Sequence, residues 1–337
     1  MSIQQEPEAP SMISHTYEPG WKQAGLLGVW TVVTVLAVAA MLRAGLVMKA
    51  LPPASLRQDP DSVILGTKGK MAREKDSAAV VFVGDSSCLV NVDMSTLLEA
   101  GGVRGVNLGL LSYLSIDSFG RIAQEAVKSR GQGKIVLVVH PEALRLAAVS
   151  PPHEKLLADI FDDKPVEIWG SPNPVARILG FDELKDRVGN RIIPEPLRGA
   201  FGAHYGFSID LEKELLQSRG TMQEARTFNA NGETASGEYR LATRIESECR
   251  GFRGRLPVGT RVRIIISPVP ASIARKNHES QMDEFQARLE SWLGADPWAS
   301  KMPAVLPDTE FATVTHLLPE ASIKYSRVLR EKLIEWQ

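Results

Sequence analysis

Three short apolar runs, each ending in polar or turn-forming residues, are the feature that most constrains the fold of this chain. They lie at 79–83, 134–140 and 262–270, and the first leads directly into Gly-Asp-Ser-Ser. Such runs, rich in valine and isoleucine and without polar alternation, are typical of strands buried on both faces of a parallel sheet. In open α/β sheets the functional residues collect where the strands end. The first run therefore places Ser86 where a nucleophile would stand.

Helical segments separate these runs. A further short strand is predicted at 105–108, and a helix follows from about Ile116 to Lys128, with Ser115 or Asp117 as its N-cap. An order of strand, helix, strand, helix, strand is the signature of a right-handed parallel sheet covered on both faces. The sequence thus predicts a three-layer α/β fold with one parallel sheet of about five strands.

The composition indicates a globular protein and excludes several function classes. Of 337 residues, 44% are hydrophobic and 23% are charged, which is the balance of a chain with a sizeable core. The formal net charge is -1, so no basic excess is present to hold a nucleic-acid backbone. Two cysteines, Cys88 and Cys249, are too few for a disulfide framework or a zinc site. We expect no nucleic-acid partner, no metal and no cofactor.

An uncharged apolar run from Ala24 to Leu42 approaches the length that a membrane-spanning helix requires. A cleaved signal peptide and a buried core helix are the alternatives, but apolar residues continue past the Ala-Val-Ala triplet that resembles a cleavage site. The sequence therefore predicts an uncleaved transmembrane anchor at 23–47. More basic residues follow the span than precede it, which by the positive-inside rule favours a cytoplasmic C-terminal domain.

The rest of the chain divides by composition. Residues 1–22 are polar and rich in glutamate and proline, and we expect them to form a disordered tail. Residues 48–78 are interpreted as a stalk and 79–337 as the folded domain. Within that domain, 150–259 breaks the alternation of strands and helices with scattered proline, glycine and aromatic residues. A segment of this length predicts an insertion that serves as a cap or a docking surface near the strand ends.

Three blocks of the sequence resemble those of the SGNH, or GDSL-type, hydrolases. Gly-Asp-Ser follows the first strand and ends at Ser86, and Asn-Leu-Gly spans Asn107 to Gly109 after the second. Near the C-terminus, His316 precedes a helix that begins with proline. The resemblance implies a three-layer, flavodoxin-like fold. It also implies that Ser86 is the nucleophile, that Gly109 and Asn107 contribute to the oxyanion hole, and that His316 is the base.

The resemblance covers about 79–149 and 260–337, and it is strongest to single-pass envelope members of the family. Those members work beside membrane-bound O-acyltransferases, as in D-alanylation and alginate acetylation. The resemblance therefore implies a periplasmic or other extracytoplasmic domain, which conflicts with the charge distribution around the span. It also implies an envelope polysaccharide or lipid as substrate and a membrane-bound O-acyltransferase as partner.

Two positions depart from the family pattern. Family members have Asp three residues before the histidine, whereas this chain has Thr313, and His140 stands where the third block supplies an asparagine. An orienting acid matters because it fixes the imidazole tautomer and stabilises the imidazolium. Asp308, Glu310 or a main-chain carbonyl could take that role, and a ring nitrogen of His140 could replace the missing asparagine as an oxyanion donor.

Each of these residues also has a purely structural interpretation. Ser86 could be a helix N-cap, and His316 could be a surface residue before the final helix. Asn107 and Gly109 could form only a turn at the end of a strand, and His140 could be an ordinary exit before proline. Two functions therefore remain open. One is a Ser-His esterase or O-acyltransferase, and the other is a catalytically degenerate SGNH domain that binds a glycan or docks a partner.

Overall fold

The structure is a computed structural model that describes residues 21–47, 60–99, 102–131, 133–146, 148–162, 211–223 and 239–336. The predicted disordered tail lies mostly outside these residues, as does much of the predicted insertion. The chain divides into two compact units. Among the described residues, the first unit is represented by one helix, and the second contains every other element.

Helix α1 spans Trp21–Val47 and includes the apolar run found in the sequence. Its large apolar side chains are mostly exposed, among them Leu27 and Trp30. Within the described residues, no helix combines the length and hydropathy that crossing a membrane requires. The anchor predicted at 23–47 stays a prediction.

The second unit is built on a parallel sheet with strand order β2-β1-β3-β4. The strands are β1 Val80–Gly84, β2 Gly105–Gly109, β3 Lys134–Val139 and β4 Arg261–Ile266. The predicted α/β class with a parallel sheet is thus confirmed, but the sheet has four strands rather than five among the described residues. The run at 262–270 is divided by Ser-Pro after β4, and β5, Val269–Pro270, pairs instead with β6, Val305–Leu306. Proline has no N–H to donate to a ladder, so the long strand ends there.

Helices and short turns connect these strands. They are α2 Pro60–Arg73, α3 Ser86–Asn91, α4 Met94–Leu98, α5 Ile116–Arg130, α6 Pro141–Arg145, α7 Pro151–Phe161, α8 Leu211–Gln217, α9 Ile245–Arg255, α10 His278–Leu293, a 3-10 turn Asp308–Glu310 and α11 Pro319–Ile334. Helix α5 begins as predicted, because the Ser115 hydroxyl accepts a hydrogen bond of 3.1 Å from the Ser118 N–H.

Both faces of the sheet are buried, as the uninterrupted apolar runs predict. Val81 and Val83 belong to a core that includes residues of α2, α5, α9 and α10. Val80 and Phe82, whose side chains alternate with these along the strand, belong to a second core with residues of α4 and α11. The result is three layers, helices on sheet on helices.

Helix α2 lies in the segment that the sequence assigned to the stalk, and this assignment is corrected for 60–73. The helix packs against α5, α7 and α8, and most of its residues are buried. Its Lys68 is fully buried, and the ammonium donates hydrogen bonds to the carbonyl oxygens of Asn107 at 2.7 Å and Gly220 at 2.5 Å. Burial lowers the pKa of Lys68 to about 7. The helix is therefore part of the folded domain.

The described parts of the predicted insertion also belong to the helical layers. Helix α9 packs against α5 and α10, and α7 packs against α2. The ion pair of Arg255 with Asp117, at 2.5 Å, further joins α9 to α5. The prediction of a cap or docking surface near the strand ends falls mainly on residues 163–210 and 224–238, which lie outside the described residues.

Candidate active site

The candidate site lies where the strand order reverses, at the carboxyl end of β1. Strand β2, the next along the chain, pairs with one edge of β1, and β3 pairs with the opposite edge of β1. Crevices at such switch points bind ligands in open α/β sheets. The backbones of β1 and β3 approach each other closely at Gly84. A Cβ added to Gly84 would lie 1.7 Å from the Val138 carbonyl oxygen. With a φ of 151°, this position accepts only glycine.

Asp85, the residue before Ser86, holds the main chain at the end of β1 through hydrogen bonds to its carboxylate. Its carboxylate accepts hydrogen bonds from the Ser87 N–H at 2.9 Å, the Ser87 hydroxyl at 2.6 Å and the His140 N–H at 2.7 Å. The carboxyl group is fully buried, and burial raises its pKa although these hydrogen bonds oppose the shift. Asp85 thus caps α3 and ties the end of β1 to the end of β3.

Ser86, the first residue of α3, meets two other polar side chains. Its hydroxyl oxygen lies 2.9 Å from Nε2 of His316 and 2.6 Å from the hydroxyl oxygen of Ser112. All three residues are half-buried, so the group is reachable from solvent. The structure thus brings Ser86 and His316 together, and the distance between Oγ and Nε2 is within the reach needed for proton transfer. Ser112, on the loop after β2, was not predicted.

Asn91 holds the segment that carries His316. Its amide nitrogen donates to the Thr315 carbonyl at 3.1 Å and to the Ser267 hydroxyl at 3.1 Å, and its amide oxygen accepts from the Leu317 N–H at 2.8 Å. The side chain is fully buried. Because Asn91 is the last residue of the helix that Ser86 begins, it links both members of the pair through one short element.

Thr313 occupies the position of the family's orienting acid, but its side chain binds the main chain. Its hydroxyl oxygen accepts hydrogen bonds from the His316 N–H at 3.1 Å and the Thr315 N–H at 3.2 Å. The residue is buried and shapes the turn before the histidine. Thr313 therefore positions the backbone of His316.

The two carboxylates proposed as alternative orienting acids have other partners. Asp308 accepts a hydrogen bond from the Ser272 N–H at 2.9 Å, and Glu310 forms an ion pair of 3.3 Å with Lys324. Both belong to the 3-10 turn that precedes the histidine segment. The structure therefore does not bring the carboxylates of Asp308 and Glu310 to the imidazole of His316.

Gly109 and Asn107 lie at the end of β2 and bind each other. The Gly109 N–H donates to the Asn107 side-chain oxygen at 2.8 Å, and the Asn107 amide nitrogen donates to the carbonyls of Cys88 at 2.8 Å and Val92 at 3.0 Å. A Cβ at Gly109 would lie 2.4 Å from the Leu89 nitrogen, so glycine allows α3 to approach the strand. Both residues serve the packing of α3, and their expected oxyanion donors are engaged within the protein.

His140 is buried at the end of β3 and caps α6. Its Nδ1 accepts a hydrogen bond of 3.1 Å from the Glu142 N–H. Burial, reinforced by the imidazoles of His316 and His278, lowers the pKa of His140 to about 3. The ring is therefore neutral near pH 7 and carries its proton on Nε2, which is buried. A donor without solvent access does not reach a substrate in this arrangement.

The described residues contain no group of three or more histidine, cysteine, aspartate or glutamate side chains arranged to hold a metal ion. Cys88 and Cys249 are free and buried, and burial raises the pKa of both thiols, so they remain protonated. Neither thiol is a nucleophile candidate.

No protein-family model, no curated protein and no solved structure matches this chain. What the site can do is therefore inferred from its own geometry.

Ser112 and Asn91 are the site residues that sequence analysis missed. Both interrupt apolar stretches, Asn91 within Leu-Val-Asn-Val and Ser112 after Gly-Leu-Leu. A polar side chain in an apolar run signals that it is hydrogen bonded inside the fold. The signal does not identify the partners, which are Ser267 just after β4 and Thr315 for Asn91, and Ser86 for Ser112.

Proposed function

We propose that this protein is a serine-dependent ester hydrolase or O-acyltransferase in which Ser86 is the nucleophile and His316 is the general base. The observation that carries the proposal is the 2.9 Å contact between the Ser86 hydroxyl and Nε2 of His316 at the carboxyl end of β1. Nucleophile and base side chains within hydrogen-bond reach are the signature of covalent acyl transfer.

In the first step, Nε2 of His316 takes the proton of the Ser86 hydroxyl as the oxygen attacks the carbonyl carbon of an ester. The carbonyl π electrons move to oxygen and give a tetrahedral oxyanion. When this intermediate collapses, the bond to the leaving alkoxide breaks, and the imidazolium returns its proton to that oxygen. The products of this step are a free alcohol and an acyl group on Ser86.

In the second step, an incoming hydroxyl attacks the acyl group and loses its proton to Nε2. Collapse of the second oxyanion releases Ser86, whose oxygen recovers the proton from the imidazolium. Water as the attacking group gives hydrolysis, and a sugar or lipid hydroxyl gives O-acyl transfer. The same pair of residues therefore supports both reactions, and the acceptor decides between them.

The proposed substrate is an O-acyl group on a cell-envelope polysaccharide or lipid, presented on the extracytoplasmic side of a membrane. The uncharged run from Ala24 to Leu42 and the resemblance to envelope-located SGNH proteins support this part of the proposal. A C-terminal alkaline phosphatase fusion tests it, and activity is expected. A silent phosphatase beside an active cytoplasmic reporter would remove envelope substrates from consideration.

Labelling with a fluorophosphonate probe tests the chemistry, because the probe reacts with activated serines. The parent protein should be labelled on Ser86, and Ser86→Ala should lose the label. Ser247→Ala is a matched control, since Ser247 is exposed on α9 and its hydroxyl donates to the Arg244 carbonyl, one turn earlier. A parent protein without a label, or a label that survives in Ser86→Ala, would contradict the proposal.

A second candidate function is a degenerate domain that binds an envelope glycan or docks a membrane-bound acyltransferase. The replacement of the family's aspartate by Thr313, and the engagement of Asp308 and Glu310 elsewhere, favour it. It predicts an unlabelled Ser86 in a folded protein that still binds polysaccharide. Glycan binding that is equal in the parent and Ser86→Ala, without turnover, would select this alternative.

A further inference from the structure

The inference concerns the stabilisation of the oxyanion, and it rests on the proposed function. Acyl transfer needs hydrogen-bond donors aimed at the charge that develops on the carbonyl oxygen. The donors that the family resemblance implies are engaged here. The Gly109 N–H and the Asn107 amide are bonded within the protein, and the His140 ring is buried. A different donor must serve this site.

Ser112 is such a donor, because its hydroxyl oxygen lies 2.6 Å from that of Ser86. The direction of this hydrogen bond follows from the base. When Nε2 of His316 accepts the single hydroxyl proton of Ser86, the contact with Ser112 requires Ser112 to donate. Ser112 therefore points its proton at the reacting oxygen before attack.

We propose that the Ser112 hydroxyl stabilises the oxyanion, in place of the asparagine and glycine of the family. In the tetrahedral intermediate, the oxyanion and the Ser86 oxygen are bonded to the same carbon, so a donor in contact with one reaches the other by rotating its hydroxyl. The Ser86 N–H is a suitable second donor, because it donates no hydrogen bond to the described part of the chain. Removal of one such donor lowers kcat by about 10²- to 10³-fold in a characterised serine enzyme.

Ser112 could instead only hold the Ser86 side chain in the resting state. The two roles differ in their response to charge. A donor to the oxyanion strengthens the binding of a negatively charged tetrahedral adduct, such as the one a boronic acid forms with a serine oxygen. A resting-state contact is lost in that adduct, and its removal changes the affinity little.

The experiment compares the parent, Ser112→Ala, Ser112→Thr and Ser247→Ala. It measures hydrolysis of p-nitrophenyl acetate and the affinity for phenylboronic acid. We expect Ser112→Ala to lower kcat about 100-fold and the boronate affinity by a similar factor, with KM nearly unchanged. Ser112→Thr keeps the hydroxyl and should retain most of the kcat and most of the boronate affinity. Ser247→Ala should match the parent in both measurements, and equal thermal midpoints would show that each variant is folded.

The outcomes separate this inference from the proposed function. An active parent, with Ser112→Ala within about threefold of it in kcat and boronate affinity, would overturn the role of Ser112 alone. A loss of kcat in Ser112→Ala with unchanged boronate affinity would assign Ser112 to the resting state and also overturn it. A parent that neither hydrolyses the ester nor binds the boronate would overturn both.

Discussion

Two serine–histidine pairs occur in the described part of this chain, and the difference between them shows what makes the candidate site. Ser150 and His153, at the start of α7, have their side chains 2.6 Å apart, closer than Ser86 and His316 at 2.9 Å. The local pair also lies beside a carboxylate, since Nε2 of His153 is 3.3 Å from an oxygen of Asp61. Judged by side-chain types and distances alone, Ser150, His153 and Asp61 resemble a catalytic triad.

The two pairs differ in how they are assembled. Ser150 and His153 are three residues apart on one helix start, where side chains meet by helical geometry alone. Ser86 and His316 are 230 residues apart, and Asn91 and Thr313 hold the histidine segment in place. Contacts that depend on the whole fold indicate a site more strongly than those one helical turn provides. Fluorophosphonate labelling is therefore expected on Ser86 and not on Ser150.

The largest effect is expected from replacing His316, with the same replacement of His153 as the comparison. His316→Gln removes the base and should lower ester hydrolysis about a thousandfold, within the usual range for general-base catalysis. His153→Gln is the matched control and should leave the rate unchanged. Hydrolysis of p-nitrophenyl acetate by both variants checks this. Equal losses would mean that the two pairs are not functionally different.

The next effect comes from placing a carboxylate at position 313, where the resemblance leads one to expect an aspartate and this chain has Thr313. In Thr313→Asp, the new side chain can accept the same hydrogen bonds from the N–H groups of Thr315 and His316, so the turn should persist. A carboxylate that also reaches the imidazole would raise kcat up to about 100-fold, a few kcal/mol of orientation and charge stabilisation. Steady-state kinetics checks the gain. An unchanged rate in a folded variant would show that the side chain at 313 does not reach the ring.

A smaller effect is expected from weakening the hydrogen bonds by which Asn91 holds the main chain on either side of His316. Asn91→Asp keeps the acceptor for the Leu317 N–H but loses both donors, so we expect kcat to fall about tenfold with little change in KM. Trp298→Phe is the control, because it loses one buried hydrogen bond, to the Ile264 carbonyl, and not the contacts that hold His316. Both variants should lose about 1–3 kcal/mol of stability. If both lower kcat equally, Asn91 acts only through stability.

The smallest effect concerns the pH dependence of stability, and it tests the buried His140. His140 has a folded-state pKa of about 3 and an ordinary value of 6.5. The unfolded chain therefore binds an extra proton between these values, and stability falls as pH decreases through this window by up to about 1.4 kcal/mol per pH unit. His140→Asn should retain a helix cap and remove this slope. Urea unfolding at pH 7 and pH 5 checks it, and an unchanged slope would contradict neutral burial of His140.

Much of the fold could be predicted from sequence because its signals are local. The strand ends, the N-cap at Ser115 and the position of Ser86 follow from apolar runs and the residues that end them. Helix α2 was misassigned because its burial depends on α5, α7 and α8, and its own sequence, with two glycines and two lysines, resembles a linker. The strand predicted at 262–270 ends at its Ser-Pro step, and the two residues after that step pair with β6 instead of joining the four-stranded sheet.

The site was predicted only in part, because the sequence carries local signals but not the packing between elements. The choice of Ser86 and His316 came from the end of the first strand and from the sequence blocks that resemble the SGNH family. The engagement of Gly109 by Asn107 and the contact of Ser112 with Ser86 depend on side-chain directions that only packing fixes. The resemblance of the sequence blocks therefore pointed to Ser86 and His316, but it did not identify the side chains that surround them.

The separation of 230 residues between Ser86 and His316 also has a consequence during synthesis. Ribosomes add about 5–20 residues per second, so Ser86 is synthesised roughly 10–50 s before His316. During that period the Ser86 hydroxyl lacks the imidazole of His316. Strands β1, β2 and β3 can pair before the two side chains meet. Helix α11 can join the second core only after residues 319–334 have been synthesised. Under the proposed function, reactivity toward esters would then require synthesis past His316, and products that terminate before His316 would be inert toward esters.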